Sequence, residues 1–169
     1  MAASDAPRGA PATENGSVAR VRAALLAAGH PDTLMEFSVG TRTSGDAAAA
    51  VGCEVAQIAK SMIFRAGARP VLVITSGANR VDRARVAAAV GEKVKPADAD
   101  WVREATGFAI GGVSPVGLLT SPIALLDADL LALDPIWAAA GSPLHVFRTS
   151  AAELLRLSGA RVAVVREGD

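Results

Sequence analysis

The chain has no tyrosine, one cysteine and two histidines, and each scarcity closes off a class of function. Cys53 has no partner for an internal disulfide, which fits a reducing compartment, and as a lone thiol it reads as a buried, inert group. His30 and His145 stand far apart in sequence, and neither HExxH nor CxxC spacing occurs, so no metal centre is expected. A Walker loop and a GxGxxG fingerprint are missing too, which argues against a dinucleotide or nucleotide enzyme and leaves no cofactor expected. Four phenylalanines and two tryptophans are too few for a stacking platform along a single strand of nucleic acid. No apolar run approaches the roughly 18 residues of a transmembrane helix. The N-terminus also lacks the charged region and apolar stretch of a secretory signal. The expected setting is therefore cytoplasmic, with no membrane partner.

What is present is a core. At 169 residues with 51% apolar side chains, the chain is long and apolar enough for one domain with a substantial interior. Residues 1–17, rich in Ala, Pro, Ser and Gly, read as a disordered tail, and 18–169 as the domain. Net charge is zero but unevenly spread. Residues 60–95 carry eight basic side chains against Asp82 and Glu92, whereas 96–139 carry Arg103 against six acids. A basic face for a phosphate-bearing partner is one reading, and a solvated helix face is the plainer one. A nucleic acid bound here would be gripped at its end.

Residues 18–29 set Val18, Val21, Leu25 and Ala28 on one helical stripe, with Gly29 as the stop. TLMEF at 33–37 alternates as a strand does. TSGDAAAAVG at 43–52 offers Thr43 or Ser44 as N-cap and Gly52 as terminator. EVAQIAKSMIFRAG and RPVLVITSG read as two strands of a hairpin turning near Gly67 and Pro70. Helices follow at 81–91, opened by Asp82, and in ADADWVREATG, with Asp98 as cap and Gly107 near the close. PIALLDADLLAL and IWAAAGSPLHVFR are further strand candidates, SAAELLRLSG is a capped helix, and ARVAVV is a last strand. Such alternation suggests an α/β (mixed α+β) fold, a central mixed sheet flanked by helices.

Between these elements lies GFAIGGVSPVG, residues 107–117. GVSPVG nearly matches the G-x-S-x-G nucleophile elbow, and Asp127 and His145 follow Ser114 in a suitable order. The spacing is one residue too long, however, and the residue after the serine is Pro115, which has no N–H to donate to an oxyanion. A Ser114–His145–Asp127 triad is therefore disfavoured, and His145 reads as a strand histidine. The remaining possibilities are a plain turn or a backbone cradle, with Gly111 and Gly112 letting a ligand approach the main chain. Lys60 is one of three lysines. In IAKSMIF, alternation sets Ile58, Lys60, Met62 and Phe64 on one face of a strand, so Lys60 either snorkels to the rim or enters a cavity.

GCEVAQIAKSMIF, PVLVITSGANRVD, GFAIGGVSPVG and IWAAAGSPLHVF, in this order and spacing, resemble the YbaK-type editing family over residues 20–166. That family includes free-standing deacylases of mischarged tRNA and the editing insertion of bacterial prolyl-tRNA synthetases. The resemblance implies a partly barrel-like sheet and hydrolysis of the ester joining a wrong amino acid to the terminal ribose of a tRNA. Lys60 matches the family's pocket lysine, and Gly111 to Pro115 match its G-x-x-x-P loop, whose backbone positions the ester. Lys60, Gly111, Gly112 and Pro115 are thereby the implied catalytic set. Ser61, Val113, Ser114, Gly141 and Ser142 are the implied substrate-binding set. Arg80 and Arg83, in the basic segment, are expected at the tRNA. The family is held to lack a protein nucleophile, water or a substrate group making the attack. The implied partners are the acceptor end of a mischarged tRNA, above all tRNA(Pro), and prolyl-tRNA synthetase. Without an aminoacylation domain, editing would occur in trans. The alternative is a catalytically idle module binding an aminoacyl-adenosine-like ligand or a partner protein, and a general esterase is a third.

Overall fold

The computed structural model describes residues 10–168. Its helices are α1 (Ala10–Ala27), α2 (Ser44–Val51), α3 (Arg83–Val90), α4 (Ala99–Thr106) and α5 (Ala151–Ser158). Its strands are β1 (Leu34–Glu36), β2 (Ile58–Ala66), β3 (Arg69–Ser76), β4 (Lys95–Pro96), β5 (Ile123–Asp127), β6 (Ile136–Ser142), β7 (His145–Thr149) and β8 (Arg161–Ala163).

Local chemistry sets most boundaries. Thr43 caps α2, its hydroxyl accepting the Asp46 N–H, and the Asp46 carboxylate returns to the Thr43 N–H as a capping box. The side chains of Asp82, Asp98 and Ser150 cap α3, α4 and α5 by accepting first-turn N–H groups. All four of these helices end at a left-handed glycine, where a side chain would meet its own backbone.

Two expectations are corrected at the boundaries. The first helix begins at Ala10, not Val18, so it takes in residues 10–17 of the segment read as a tail; residues 1–9 lie outside the described residues. PIALLDADLLAL is a strand only to Asp127, whose carboxylate accepts the Asp129 N–H and turns the chain into a 3₁₀ helix, Ala128–Ala132.

The strands form one mixed sheet in the order β1-β7-β6-β2-β3-β5-β8, with β4 joined to β2. β2–β3 and β6–β7 are antiparallel, while β2–β6, β3–β5 and β5–β8 are parallel. Strands β1 and β8 do not pair, so the sheet stays open rather than closing into a barrel. The middle of central strand β3, Val71 to Ile74, is wholly apolar and buried, as expected where both faces are covered. Leu72 and Ile74 join Val21 and Leu25 of α1, Val102 of α4 and Leu154 of α5 in one core layer. Val71 and Val73 join Val86 of α3 and Phe64 in the other. Each such buried aliphatic side chain contributes roughly 1.5–3 kcal/mol relative to exposure.

A gap interrupts the sheet. The parallel pairing of β2 with β6 covers only Ile58↔Trp137 and Ala59↔Ala138. Beyond it β6 bulges between Ala139 and Ser142, with Gly141 at φ 101°, and departs from β2.

Candidate functional site

The gap opens into a cavity of about 250 Å³. Lys60, Ser61 and Met62 of β2 form one wall, Ala138, Ala139 and Ser142 of β6 another. Ile110, Gly111 and Val113 close the third side, and Thr41–Ser44, ahead of α2, the fourth.

Each wall has an identifiable anchor. The stretch around Thr41 is strapped to the β6–β7 turn. Phe37 donates its N–H to the Leu144 carbonyl at 2.7 Å, and Thr41 donates both its N–H and its hydroxyl to that of Pro143. The glycine-rich segment leaves and rejoins the chain at the end of α4, where the Leu119 N–H reaches the Thr106 carbonyl and the Thr120 hydroxyl that of Ala105. Arg20 of α1 braces it from outside. Its guanidinium donates to the carbonyls of Gly117 (2.7 Å) and Gly107 (3.0 Å) and lies 4.6 Å from the centre of the Phe108 ring. Burial holds that guanidinium below the usual arginine value.

The expected site residues separate into three groups. Lys60, Ser61, Gly111, Val113 and Ser142 line the cavity together. Gly112, Ser114, Pro115 and Gly141 are buried behind it. The Gly112 N–H closes a turn onto the Ala109 carbonyl, and its Cα rests on the β6 bulge. Gly141 packs so closely on α1 that a Cβ would lie 2.9 Å from Ser17 main-chain atoms. Ser114 is fully buried, and its hydroxyl accepts the Val116 N–H at 3.2 Å. Arg80 and Arg83 are exposed and do not line the cavity; the Arg80 carbonyl accepts the Glu167 N–H, and Arg83 opens α3.

The Ser114–His145–Asp127 triad does not assemble. Asp127, buried beside β3, accepts from the Thr75 hydroxyl and Ser76 N–H (both 3.0 Å) and the Asn79 amide (2.8 Å). His145 instead meets Ser142, Nδ1 to Oγ at 2.7 Å, and the Glu36 carboxylate lies 3.8 Å from its Nε2. Ser142 Oγ also accepts the Leu144 N–H at 3.0 Å. Sequence reasoning passed over His145 as a strand histidine, yet it lines the cavity. Spacing alone carries no sign of this pair, because it depends on the bulge. Gly77 was missed as well; a Cβ there would lie 2.6 Å from the Val55 carbonyl and 2.8 Å from the Ser44 side chain, so only glycine lets β3 end against the α2 wall.

Cys53 is half-buried and unpaired by disulfide, packed beside Ala48, Ile58 and Trp137. Burial, with Glu54 adding, pushes its thiol pKa up, which disfavours the thiolate. Among the described residues no cluster of three His, Cys, Asp or Glu side chains could hold a metal ion. No helix there is long and apolar enough to cross a membrane.

Fold and site together define a mixed α/β protein with a small-ligand cavity set into a break in its sheet, furnished with a lysine and a glycine-rich main-chain wall. Residues 39–157 match the family model of the aminoacyl-tRNA editing domain. The chain belongs to that family. It is 31% identical over 128 residues to the uncharacterized protein YwhH of Bacillus subtilis (strain 168), covering 75% of this chain and 82% of that protein. Among solved structures it resembles one described as a candidate trans-editing enzyme for prolyl-tRNA synthetase (45% identity, TM-score 0.86, 90% of this chain and 98% of that one). It also resembles the hypothetical protein APE2540 (30% identity, TM-score 0.82, 88% and 99%).

Proposed function

We propose that the chain is a cytoplasmic hydrolase that removes wrong amino acids in trans from mischarged aminoacyl-tRNA, above all tRNA(Pro), working beside prolyl-tRNA synthetase. The carrying observation is the convergence of Lys60 with the main chain of Gly111 and Val113 on one cavity. Family membership and the likeness to a candidate trans-editing enzyme support it. In this reading Lys60 holds the charged terminal nucleotide or its aminoacyl group, and the loop faces the ester carbonyl. The Gly111 and Val113 N–H groups make no main-chain bond among the described residues, whereas that of Gly112 is committed to Ala109. Those two are the donors available to a developing oxyanion. Holding the ester against them converts attack by water, or by a substrate hydroxyl, into a positioned reaction. Arg80 and Arg83 meet backbone phosphates outside the cavity.

A second reading rests on the Ser142–His145 bond: Ser142 as nucleophile of an esterase, with His145 as base. Ser142 as a residue is only 2% exposed and its hydroxyl already accepts the Leu144 N–H, which weighs against attack on a bound ester. Purified protein assayed on a panel of mischarged tRNAs, alongside a covalent serine probe, separates the two. Deacylation without labelling is the expected result; labelling of Ser142 would favour the esterase, and no deacylation anywhere would leave a binding module.

A further inference from the structure

The ionisable side chains lining the cavity are all basic. Arg42, Lys60 and His145 contribute to its walls, and among the described residues no aspartate or glutamate lines it. A cleft lined by one sign of charge concentrates ligands of the other. The ester and ribose handled in the proposed reaction carry no negative charge, so the cations require another explanation.

Arg42 combines a fixed main chain with an uncommitted side chain. Thr41, before it, donates its N–H and its hydroxyl to the Pro143 carbonyl, both at 3.0 Å. Thr43, after it, caps α2. Asp46, the carboxylate nearest in the chain, is taken up by the N–H groups of Arg42 (3.1 Å) and Thr43 (3.3 Å). The Arg42 guanidinium makes no hydrogen bond or salt bridge among the described residues. Being exposed while also lining the cavity, Arg42 stands at its mouth. Volume adds a constraint. At about 250 Å³ the cavity falls below the roughly 300–1,000 Å³ of most small-molecule pockets. It has room for an acyl group and part of a ribose, which leaves the rest of a nucleotide at the mouth.

We infer that Arg42 is a substrate-binding residue whose guanidinium grips the phosphodiester joined to the terminal nucleoside of the charged tRNA. The inference rests on the proposed editing reaction. That phosphodiester carries the negative charge nearest the ester, and a planar guanidinium meets it with two parallel N–H···O bonds. The anchored main chain of Arg42 sets where the phosphate is held, and Lys60 faces the cavity from a different wall, β2. A substrate pinned at its phosphate cannot turn in the cavity, so the ester stays aligned with the Gly111 main chain.

The test uses the whole protein and two esters of the amino acid it removes fastest from tRNA. One is the ester of the dinucleotide CpA, which keeps the phosphodiester; the other is the ester of adenosine, which lacks it. The parent should prefer the CpA ester in kcat/KM, and Arg42→Ala should lower that preference about tenfold or more, as loss of a charged hydrogen bond does. Arg42→Lys, which keeps the charge and loses the fork, should recover part of it. A merely structural role would slow both esters alike. Binding of AMP against adenosine, followed by tryptophan fluorescence with Trp137 in the cavity wall, should show the same preference and the same loss. A parent without the preference, or an Arg42→Ala protein that keeps it, overturns the assignment while leaving editing intact. A parent that hydrolyses neither ester nor any mischarged tRNA overturns the editing reading. If it also binds AMP no better than adenosine, the phosphate grip falls with it; a preference for AMP that Arg42→Ala abolishes would sustain the grip alone.

Discussion

Gly112 lies directly against Ser142: a Cβ built on Gly112 would stand 2.8 Å from the Ser142 Cα and 2.9 Å from its nitrogen. Both contacts are to main chain, which cannot swing aside. Gly111 differs. It has room, with nothing nearer than the Pro143 ring at 4.0 Å, but its φ of 98° is closed to most L-residues. Gly112→Ala should therefore destabilise by about 1–3 kcal/mol through overpacking. Gly111→Ala should lower the deacylation rate on the order of 100-fold by turning a donor away from the ester. Denaturation midpoints and rates measured on both variants decide this; a Gly111→Ala enzyme of normal rate removes that main chain from catalysis.

Lys60 forms no salt bridge among the described residues and is only half-buried. Lys60→Ala should therefore change stability by less than about 0.5 kcal/mol. If the ammonium binds the charged end of the substrate, kcat/KM should fall on the order of 100-fold or more. A variant as fast as its parent would take Lys60 out of the mechanism.

The two buried serines test the chemistry from opposite sides. Ser114→Ala leaves the Val116 N–H without its acceptor, so a loss of about 1–3 kcal/mol is expected, with most activity retained. Ser142→Ala removes the His145 partner and lowers the rate without abolishing it, because water remains the nucleophile. Complete inactivity of a folded Ser142→Ala protein would turn the mechanism toward a covalent intermediate.

Arg80 and Arg83 are exposed beside α3. Neutralising both should weaken tRNA binding and flatten the slope of log K against log salt by about 1–2, as fewer counterions are released. A slope identical to the parent's places the tRNA on another face.

Asp127 ties the end of β3 to the turn that follows β5. Its carboxylate accepts from Thr75, Ser76, Asn79 and Asp129, and Asp129 in turn receives Asn79 and Arg166. Asp127→Asn brings donors against donors at one oxygen and should cost about 2–3 kcal/mol in urea denaturation. An unaltered midpoint would mean the ends of β3 and β5 are secured by packing alone.

What could be read ahead of the structure follows the range of the interactions. The caps at Thr43, Asp82, Asp98 and Ser150 depend on residues a turn apart, and the hairpin at Gly67 on adjacent strands, so local sequence carries them. The joining of Lys60 to Gly111 was legible through the family resemblance more than through periodicity. The gap beside Ser61 and the Ser142–His145 pair were not legible. Both lie beside the bulge at Gly141, where that glycine fits against Ser17 of α1 and Gly112 fits against Ser142. Those are meetings of distant segments, and no window of sequence contains them.

The brace supplied by Arg20 changes the thermodynamic character of the loop it holds. Four glycines in eleven residues would, unsupported, sample many main-chain arrangements, and each binding event would have to select one against that entropy. With the Gly107 and Gly117 carbonyls fixed to one guanidinium and Phe108 stacked beneath it, the ends of the segment are ordered once, during folding. The helix before the matched editing segment thus acts as a splint for it. Under the proposed function, a ligand at Gly111 would meet a segment whose ends are already fixed, leaving more of its binding energy for discrimination.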